Sequence, residues 1–261
     1  MLKFHSNKDQ YFNQQNYTME KHIIPFMKEV VHIGRSTKIL EVGCDLGGNL
    51  KPFVDMDCKI TGIDINANRI LVGKSLLKNE KNNNKVELIA CDIFDFPSNE
   101  SNKFDIIIMK DTIEHIYNHK KLIVHLSSLL NENGIIFFAF PPWQMPYGGH
   151  QQICKSRVLS SCPYIHLLSG FINKLLLMLF NETRSISSSI LDTRKTKINI
   201  EKFNKLVTRQ NLKIKKRKLF LINPNYEIKF NLRAKEQFKV ISFIPYLRNF
   251  FTTTCYYIIS R

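Results

Sequence analysis

The sequence predicts an α/β fold built on a mostly parallel β-sheet, and three observations support this prediction. Strongly apolar runs recur along the first 140 residues, a carboxylate lies at or just beyond the end of each run, and a glycine-rich turn follows the first run. Near-continuous apolar strands are typical of parallel sheets with both faces covered, and the carboxyl ends of such strands line a ligand crevice. We therefore expect the carboxylates to meet at one edge of the sheet.

The first predicted strand, residues 39–42, leads directly into the glycine-rich turn. Glu41 lies in this strand, and the turn contains Gly43, Asp45 and Gly47. Glycine lets the backbone pass close to a ligand, and the helix that follows presents free N–H groups and the positive end of its dipole to an anion. The strand and its turn together predict a nucleotide pocket.

The next three strands are predicted from apolar runs that lead into acids. Asp64 follows Gly43 by 21 residues, which is the separation at which a βαβ unit places a carboxylate on ribose hydroxyls. Together with Glu41, the acids after these runs form an ordered set of four markers. The runs cover residues 59–63, 86–91 and 104–109, and the acids that follow them are Asp64, Asp92 and Asp111.

The remaining elements are predicted from apolar spacing and from helix and strand stops. A helix is expected over residues 17–31, and Pro141 and Pro142 stop the fifth strand. Beyond them, the apolar stretch 165–180 predicts a helical lid, with a membrane-surface helix as the alternative. The other predicted elements are a helix over 120–130, a strand over 135–140, a helix over 198–210, and strands over 212–222 and 251–259.

The four acidic markers, in this order and spacing, resemble the class I S-adenosylmethionine-dependent methyltransferases, in particular the broad group of quinone-biosynthesis and small-molecule enzymes. The resemblance implies a Rossmann-like, three-layer α/β/α fold with seven strands, of which the last is antiparallel. It also implies a helical insertion after the fifth strand. We expect a single domain that comprises a cofactor-binding core over 15–142, an acceptor lid over 143–197, and a basic C-terminal part over 198–261.

The resemblance also implies which residues hold S-adenosylmethionine. In the family pattern a glycine stands where this chain has Asp45. Aspartate tolerates a left-handed backbone, but its carboxylate would lie near that of the donor and could weaken donor binding. The implied contacts are Glu41, Gly43 and Gly47 for the methionine part, Asp64 for the ribose, Asp92 and Ile93 for the adenine, and Met109 with Lys110 under the sulfonium, and Ile65 is a further expected cofactor contact.

A Rossmann domain for a nicotinamide cofactor is the alternative interpretation of the glycine-rich turn. That domain requires the pattern G-x-G-x-x-G, which Asp45 also breaks, and it gives Asp92 and Asp111 no role. The methyltransferase interpretation accounts for all four markers.

Methyl transfer to a hydroxyl needs a general base beside an aligned donor. Asp111 and His115 after the fourth strand, and His150 after the fifth, are the candidate catalytic residues, because histidine titrates near physiological pH. Trp143 and Tyr147 are the candidate acceptor contacts. For Trp143, packing beneath the lid is the equally weighted alternative.

The same region is also a candidate divalent-metal site. Asp111, Glu114 and His115 form the pattern D-x-x-E-H, and related methyltransferases hold a metal with E-x-x-E-H and a later histidine, for which His150 is available. Carboxylates and imidazoles suit magnesium, manganese or zinc. Many relatives carry this local sequence without a metal, so S-adenosylmethionine is the predicted cofactor and the metal remains the less favoured option.

Charge divides the chain into two unequal parts. Residues 1–140 are neutral overall, so the net charge of +16 comes from residues 141–261. Such asymmetry indicates an anionic membrane surface, a phosphorylated acceptor or nucleic acid, or simply a solvated lysine-rich face. No signal peptide is recognised at residues 1–8 and the cysteines are scattered, so we expect a cytoplasmic protein, peripheral to the membrane at most, without an obligate protein partner.

The predicted function is S-adenosylmethionine-dependent methyl transfer to a small-molecule, lipid-linked or carrier-linked acceptor, at oxygen. Two alternatives stay open. The basic half is compatible with an RNA 2′-O-methyltransferase, although no RNA-binding module is recognised. The other alternative is a non-catalytic protein that keeps the fold, has lost affinity for S-adenosylmethionine through Asp45, and binds lipid or nucleic acid.

Overall fold

Eight strands form one sheet in the computed structural model, which describes residues 8–78, 80 and 85–261. The strands are β1 (Lys38–Val42), β2 (Lys59–Asp64), β3 (Val86–Ala90), β4 (Phe104–Lys110), β5 (Leu130–Phe140), β6 (Lys213–Ile222), β7 (Lys235–Glu236) and β8 (Thr254–Ser260). Their order across the sheet is β3-β2-β1-β4-β5-β8-β6-β7. The first five strands pair in parallel, and β8 enters antiparallel between β5 and β6.

Helices cover both faces of the sheet, as the apolar strands predict. Ile39 faces one core with α1 to α4, whereas its neighbour Leu40 faces a second core with α5 and α9. The three-layer α/β/α prediction is therefore confirmed. The helices are α1 (Lys8–Thr18), α2 (Ile24–Lys28), α3 (Lys51–Asp55), α4 (Ala67–Leu77), α5 (His119–Ser128), α6 (Arg157–Ser161), α7 (Gly170–Leu179), α8 (Arg184–Thr196), α9 (Ile200–Arg209), α10 (Tyr226–Phe230), α11 (Lys239–Phe243) and α12 (Leu247–Phe250).

Three details of the sheet and its first helices differ from the sequence prediction. The two-residue strand β7 gives eight strands instead of seven, and a segment this short leaves no alternating apolar pattern. β5 begins at Leu130 because an irregularity in its pairing with β4 lets the polar segment 131–134 continue the strand. The predicted first helix is divided by a π-helical turn, Met19–Ile23, and Pro25 lies in the first turn of α2.

The insertion after β5 is helical, as expected, and carries no strand among its described residues. Its helices α6 to α8 enclose a small apolar cluster of their own that includes Leu159, Leu177 and Ile190. Among the described residues, every helix is too short or too polar to cross a bilayer. Residues 1–7, on which the expectation about a signal peptide was based, lie outside the described part of the chain.

Candidate functional site

The turn after β1 has the backbone that its glycines predict. Gly43 and Gly47 have φ values of 75° and 79°, and Asp45 also lies in the left-handed region at 50°. A Cβ atom at Gly43 would lie 2.4 Å from Thr112 Oγ1, so glycine is required there on both counts. The expectation that aspartate tolerates the turn is confirmed for Asp45.

Asp45 has a cationic partner that the sequence did not suggest. Arg69, on the first turn of α4, lies 3.0 Å from an Asp45 carboxylate oxygen. Burial raises the pKa of Asp45, whereas Arg69 and a hydrogen bond from Tyr11 act in the opposite direction. The backbone N–H of Asp45 donates to the Asp64 carboxylate at 3.0 Å. The charge of the Asp45 carboxylate is thus partly neutralised by Arg69 within the glycine-rich turn.

Glu41 lies beneath the turn, fully buried. The Asn49 side chain donates to it at 2.7 Å, and its second carboxylate oxygen has no hydrogen-bond partner. Burial raises the pKa of Glu41 to about 8, although Asn49 and the nearby Lys110 act to lower it. The methionine part of S-adenosylmethionine is expected next to Glu41. The unpaired oxygen of this buried carboxyl is therefore available for a hydrogen bond to a further polar group.

The other expected donor residues lie at the carboxyl ends of neighbouring parallel strands, as predicted. Asp64 and Asp92 accept backbone hydrogen bonds from Asn66 and Phe94, which fixes both carboxylates at the start of their loops. The expected contacts differ in exposure. Ile65 is 78% exposed, Ile93 is buried, and the Met109 side chain packs in the core on the α5 side of the sheet.

A cavity of about 630 Å³ opens beside the last residue of β4. It brings together Asp111, His115 and His150, the three residues predicted to be catalytic, with Tyr147. The His115 and His150 rings meet edge to face, with centroids 5.0 Å apart. The other lining residues are Tyr11, Gln14, Gln15, Lys110, Glu114, Pro141, Met145, Gln152, Ile153, Lys155, Ser185, Ile186, Ser189, Asn223, Asn225, Tyr226, Lys229 and Thr253.

Electrostatics in this cavity favour the neutral form of both imidazoles. Burial lowers the pKa of His115, and burial with the nearby His115 lowers the pKa of His150 to about 4. Lys110 Nζ lies 2.9 Å from the Asp111 carboxylate. Burial and the charge of Asp111 raise the pKa of Glu114 well above its ordinary value. A neutral imidazole has a free nitrogen lone pair and can accept a proton.

Glu114, His115 and His150 also lie close enough to share a cation. One ligand atom from each lies within 4.8 Å of the others, and Glu114 Oε2 is buried without a hydrogen-bond partner. One carboxylate and two imidazoles form a donor set that suits a divalent transition metal. The residues present therefore fit the metal alternative.

A family model described as a methyltransferase domain matches residues 33–211. The chain belongs to this methyltransferase family. The family assignment and the fold class predicted from the sequence are therefore confirmed.

Two curated relatives of the methyltransferase align with only part of it. An uncharacterised protein of Rickettsia prowazekii is 32% identical over 117 residues, which is 42% of this chain and 46% of the relative. A ubiquinone biosynthesis O-methyltransferase of Glaesserella parasuis is 28% identical over 104 residues, or 39% of this chain and 44% of the relative. The chain thus spans slightly less than half the length of the curated relatives it matches.

Solved structures share the fold at low sequence identity. The phosphoethanolamine N-methyltransferase 2 of Haemonchus contortus, in complex with S-adenosyl-L-methionine, superposes with a TM-score of 0.58 at 12% identity, covering 91% of this chain and 51% of that one. A geranyl diphosphate C-methyltransferase of Streptomyces coelicolor gives a TM-score of 0.56 at 13% identity, with coverages of 92% and 78%. At these identities the likeness supports the fold.

Trp143 does not line the cavity of the methyltransferase. Its ring packs against His166, with centroids 4.7 Å apart, and beneath Arg194, so its position is that of the packing alternative. Gly148 and Gly149 are needed nearby because a Cβ at either would lie 2.2 Å from a neighbouring atom. Their turn brings His150 to the cavity, as the sequence predicts.

Two walls of the cavity come from segments that local motifs do not reveal. Tyr11 and Gln15 reach it from α1, and Tyr226 and Lys229 reach it from α10. The two segments are joined where Gln14 donates to the Asn225 carbonyl at 3.1 Å, across 211 positions of sequence. The helix predicted over residues 17–31 lies after Tyr11 and Gln15, so the sequence patterns give no signal for either wall.

Proposed function

We propose that the chain transfers a methyl group from S-adenosylmethionine to an oxygen of a small or lipid-linked acceptor held in the cavity. The observation that carries this proposal is the pair of imidazoles, His115 and His150, which meet edge to face in a pocket at the strand edge that bears the glycine-rich turn. Family membership supports the methyl donor, and the ubiquinone relatives support oxygen as the acceptor atom.

The proposed reaction requires alignment and one proton acceptor. The acceptor oxygen attacks the sulfonium methyl in line, the carbon–sulfur bond breaks to leave the neutral thioether, and the acceptor proton passes to an imidazole nitrogen of His150 or His115. Lys110 holds the Asp111 carboxylate, which balances the imidazolium that forms. The α1 and α10 walls narrow the access of water to the cavity, which favours attack by the acceptor over attack by water.

A divalent cation is the second candidate arrangement, and the orphaned Oε2 of buried Glu114 favours it. Glu114, His115 and His150 would hold the ion, which would lower the pKa of an acceptor hydroxyl. In that arrangement Asp111 and Lys110 remain to orient the acceptor.

The partners and the location follow from the same proposal. A cavity of about 630 Å³ suits a small or lipid-linked acceptor better than a folded RNA. We retain an anionic membrane surface as the partner of the basic half, and a cytoplasmic or peripheral location. An obligate protein partner is not part of the proposal.

Donor binding tests this proposal directly. Calorimetric titration with S-adenosylmethionine and S-adenosylhomocysteine should show binding to the unmodified chain, strong weakening in Asp64→Ala, and partial recovery in Asp64→Asn, which keeps a hydrogen-bond acceptor. The control Asp95→Ala alters an exposed acid beside the adenine loop and should leave affinity unchanged. If the unmodified chain binds neither compound, with or without Mg²⁺, the proposal is wrong and the non-catalytic alternative gains.

A further inference from the structure

Exposed apolar side chains are concentrated in two segments of the described chain. Of twenty-five exposed large apolar residues, nine lie in residues 158–180 and ten in residues 228–251. We name these the insertion segment and the C-terminal segment. Contiguous apolar patches of this kind are rare on monomeric proteins unless they contact a partner.

The helix α7 of the insertion segment packs Leu177 into the small apolar cluster of the insertion but exposes most of its other apolar side chains. Asn173 is buried and donates to the backbone at Leu168, whereas Phe171 and Met178 are 77% and 65% exposed. Val240 and Phe243 on α11 of the C-terminal segment are likewise 76% exposed. Both helices therefore present apolar side chains outward.

Exposed cations without carboxylate partners accompany these apolar faces. The ion pairs among the described residues leave out seven exposed cations in or beside the two segments. Lys235 instead lies over the exposed Phe238 ring, 4.9 Å from its centroid. The seven are Lys155, Arg157, Lys174, Arg184, Arg233, Lys235 and Lys239.

The two segments adjoin each other and the cavity. The Tyr164 hydroxyl donates to the Phe250 carbonyl at 3.3 Å, which joins the insertion segment to the C-terminal segment. Lys155 and Ile186 flank the insertion segment, Lys229 lies in the C-terminal segment, and all three line the cavity. The apolar and basic surface therefore extends around the walls of the acceptor pocket.

We propose that the insertion segment and the C-terminal segment together form a docking surface for an anionic lipid bilayer, on which α7 and α11 insert shallowly. Exposed Phe, Leu, Met and Val among unpaired Lys and Arg match the acyl boundary and the charged headgroups respectively. Nucleic acid would use the cations but would leave the outward aliphatic side chains without a role. As an extension that rests on the proposed function, the acceptor is an amphiphile that enters the cavity from the bilayer.

Vesicle co-sedimentation of the full chain tests the docking surface without donor or acceptor. Vesicles of phosphatidylcholine with phosphatidylglycerol should bind the chain, and vesicles of phosphatidylcholine alone should bind it weakly. The triple variant Arg233→Gln, Lys235→Gln and Lys239→Gln should weaken binding to the anionic vesicles by at least about tenfold, because each cation near an anionic surface adds to the attraction. The matched control Lys59→Gln, Lys74→Gln and Lys120→Gln removes three exposed lysines of the neutral half and should bind normally.

Apolar insertion is tested by a second pair of variants. Phe171→Ser with Phe243→Ser should reduce binding, whereas Leu71→Ser with Val124→Ser, which changes exposed apolar residues of the other half, should not. Equal loss in both pairs, binding to neutral vesicles as strong as to anionic ones, or binding of poly(U) with no vesicle binding would each overturn the proposal. None of these readouts depends on methyl transfer, so failure of the docking surface and failure of the proposed reaction are distinguishable.

Discussion

The two halves of the chain place their apolar side chains differently. In residues 8–140, the five exposed large apolar residues of the described part stand singly, as they do on most soluble proteins. In residues 141–261 there are twenty, and most belong to the two segments that flank the cavity. The same half carries the entire net charge. The first half therefore buries most of its apolar side chains in the core of the sheet. The second half also leaves an apolar surface that is available to a partner outside the molecule.

The largest effect is expected from the replacement of Gly43 in the glycine-rich turn of the first half. Gly43→Ala combines a positive φ with a Cβ that would lie 2.4 Å from Thr112 Oγ1, so donor binding should be lost and unfolding made easier by about 1–3 kcal/mol. The control Gly170→Ala, in the basic half, meets no atom closer than 3.9 Å and should be neutral or slightly stabilising. Calorimetry and thermal unfolding distinguish the two. Similar behaviour of both variants would contradict the strict requirement at Gly43.

A smaller effect is expected where the second half supplies the proton acceptor. His150→Gln should reduce kcat by about 10²–10³ while donor affinity stays unchanged, because general base catalysis contributes in that range. The control is His125→Gln, on α5 and outside the cavity lining. Single-turnover methyl transfer provides the measurement. If His150→Gln also abolished donor binding, its role would be structural.

Acid should destabilise both halves through buried histidines. Burial lowers the pKa of His119 and of His166 to about 4, whereas both titrate near 6.5 when unfolded. The unfolded chain then binds more protons between these values, so stability falls as the pH drops from about 6.5 towards 4. His119→Gln and His166→Gln should each flatten the pH dependence of denaturant midpoints over this window. An unchanged slope in His166→Gln would show that the insertion unfolds separately from the sheet.

A modest effect is expected at the ion pair in the donor turn. Arg69→Ala leaves the Asp45 carboxylate uncompensated and should weaken S-adenosylmethionine binding about fivefold, since a partly exposed pair contributes about 1 kcal/mol or less. Asp45→Gly with Arg69→Ala should restore affinity, and the double-mutant cycle measures the coupling. Additive losses would mean that Arg69 contacts the donor by itself.

The smallest effect is expected where α10 contacts the turn that follows α1. Burial would raise the pKa of Glu227, but hydrogen bonds from Lys21, Ala234 and His22 lower it to about 2. Glu227→Gln should cost less than about 1 kcal/mol because Lys21 is half exposed, yet it should speed proteolysis near α1. Glu20→Gln, an exposed neighbour, is the control. Equal proteolysis rates would show that Glu227 does not secure α1.

The sequence predicted the donor half well because its patterns are local. Each apolar run, its closing acid and the glycine turn lie within a few residues of one another, so Asp64 and Asp92 could be assigned to strand ends directly. The antiparallel last strand and the helical insertion were also correctly expected from the resemblance.

The parts that sequence reasoning missed depend on distant contacts. Arg69 meets Asp45 only because α4 packs beside the turn, and Tyr226 reaches the cavity from far along the chain. Trp143 is a further residue whose position depends on distant contacts. Its place beneath Arg194 depends on how α8 folds back, which no local pattern near Trp143 encodes.

The position of β8 has a consequence for how the chain is made. Because β8 lies between β5 and β6, the edge of β5 stays open until residues 254–260 have left the ribosome. Until then the nascent sheet exposes an apolar strand edge, which is a template for aggregation. Sheet closure, and with it the wall of the cavity formed by Thr253, therefore requires β8 to be synthesised, so deletion of β8 should affect solubility before it affects chemistry.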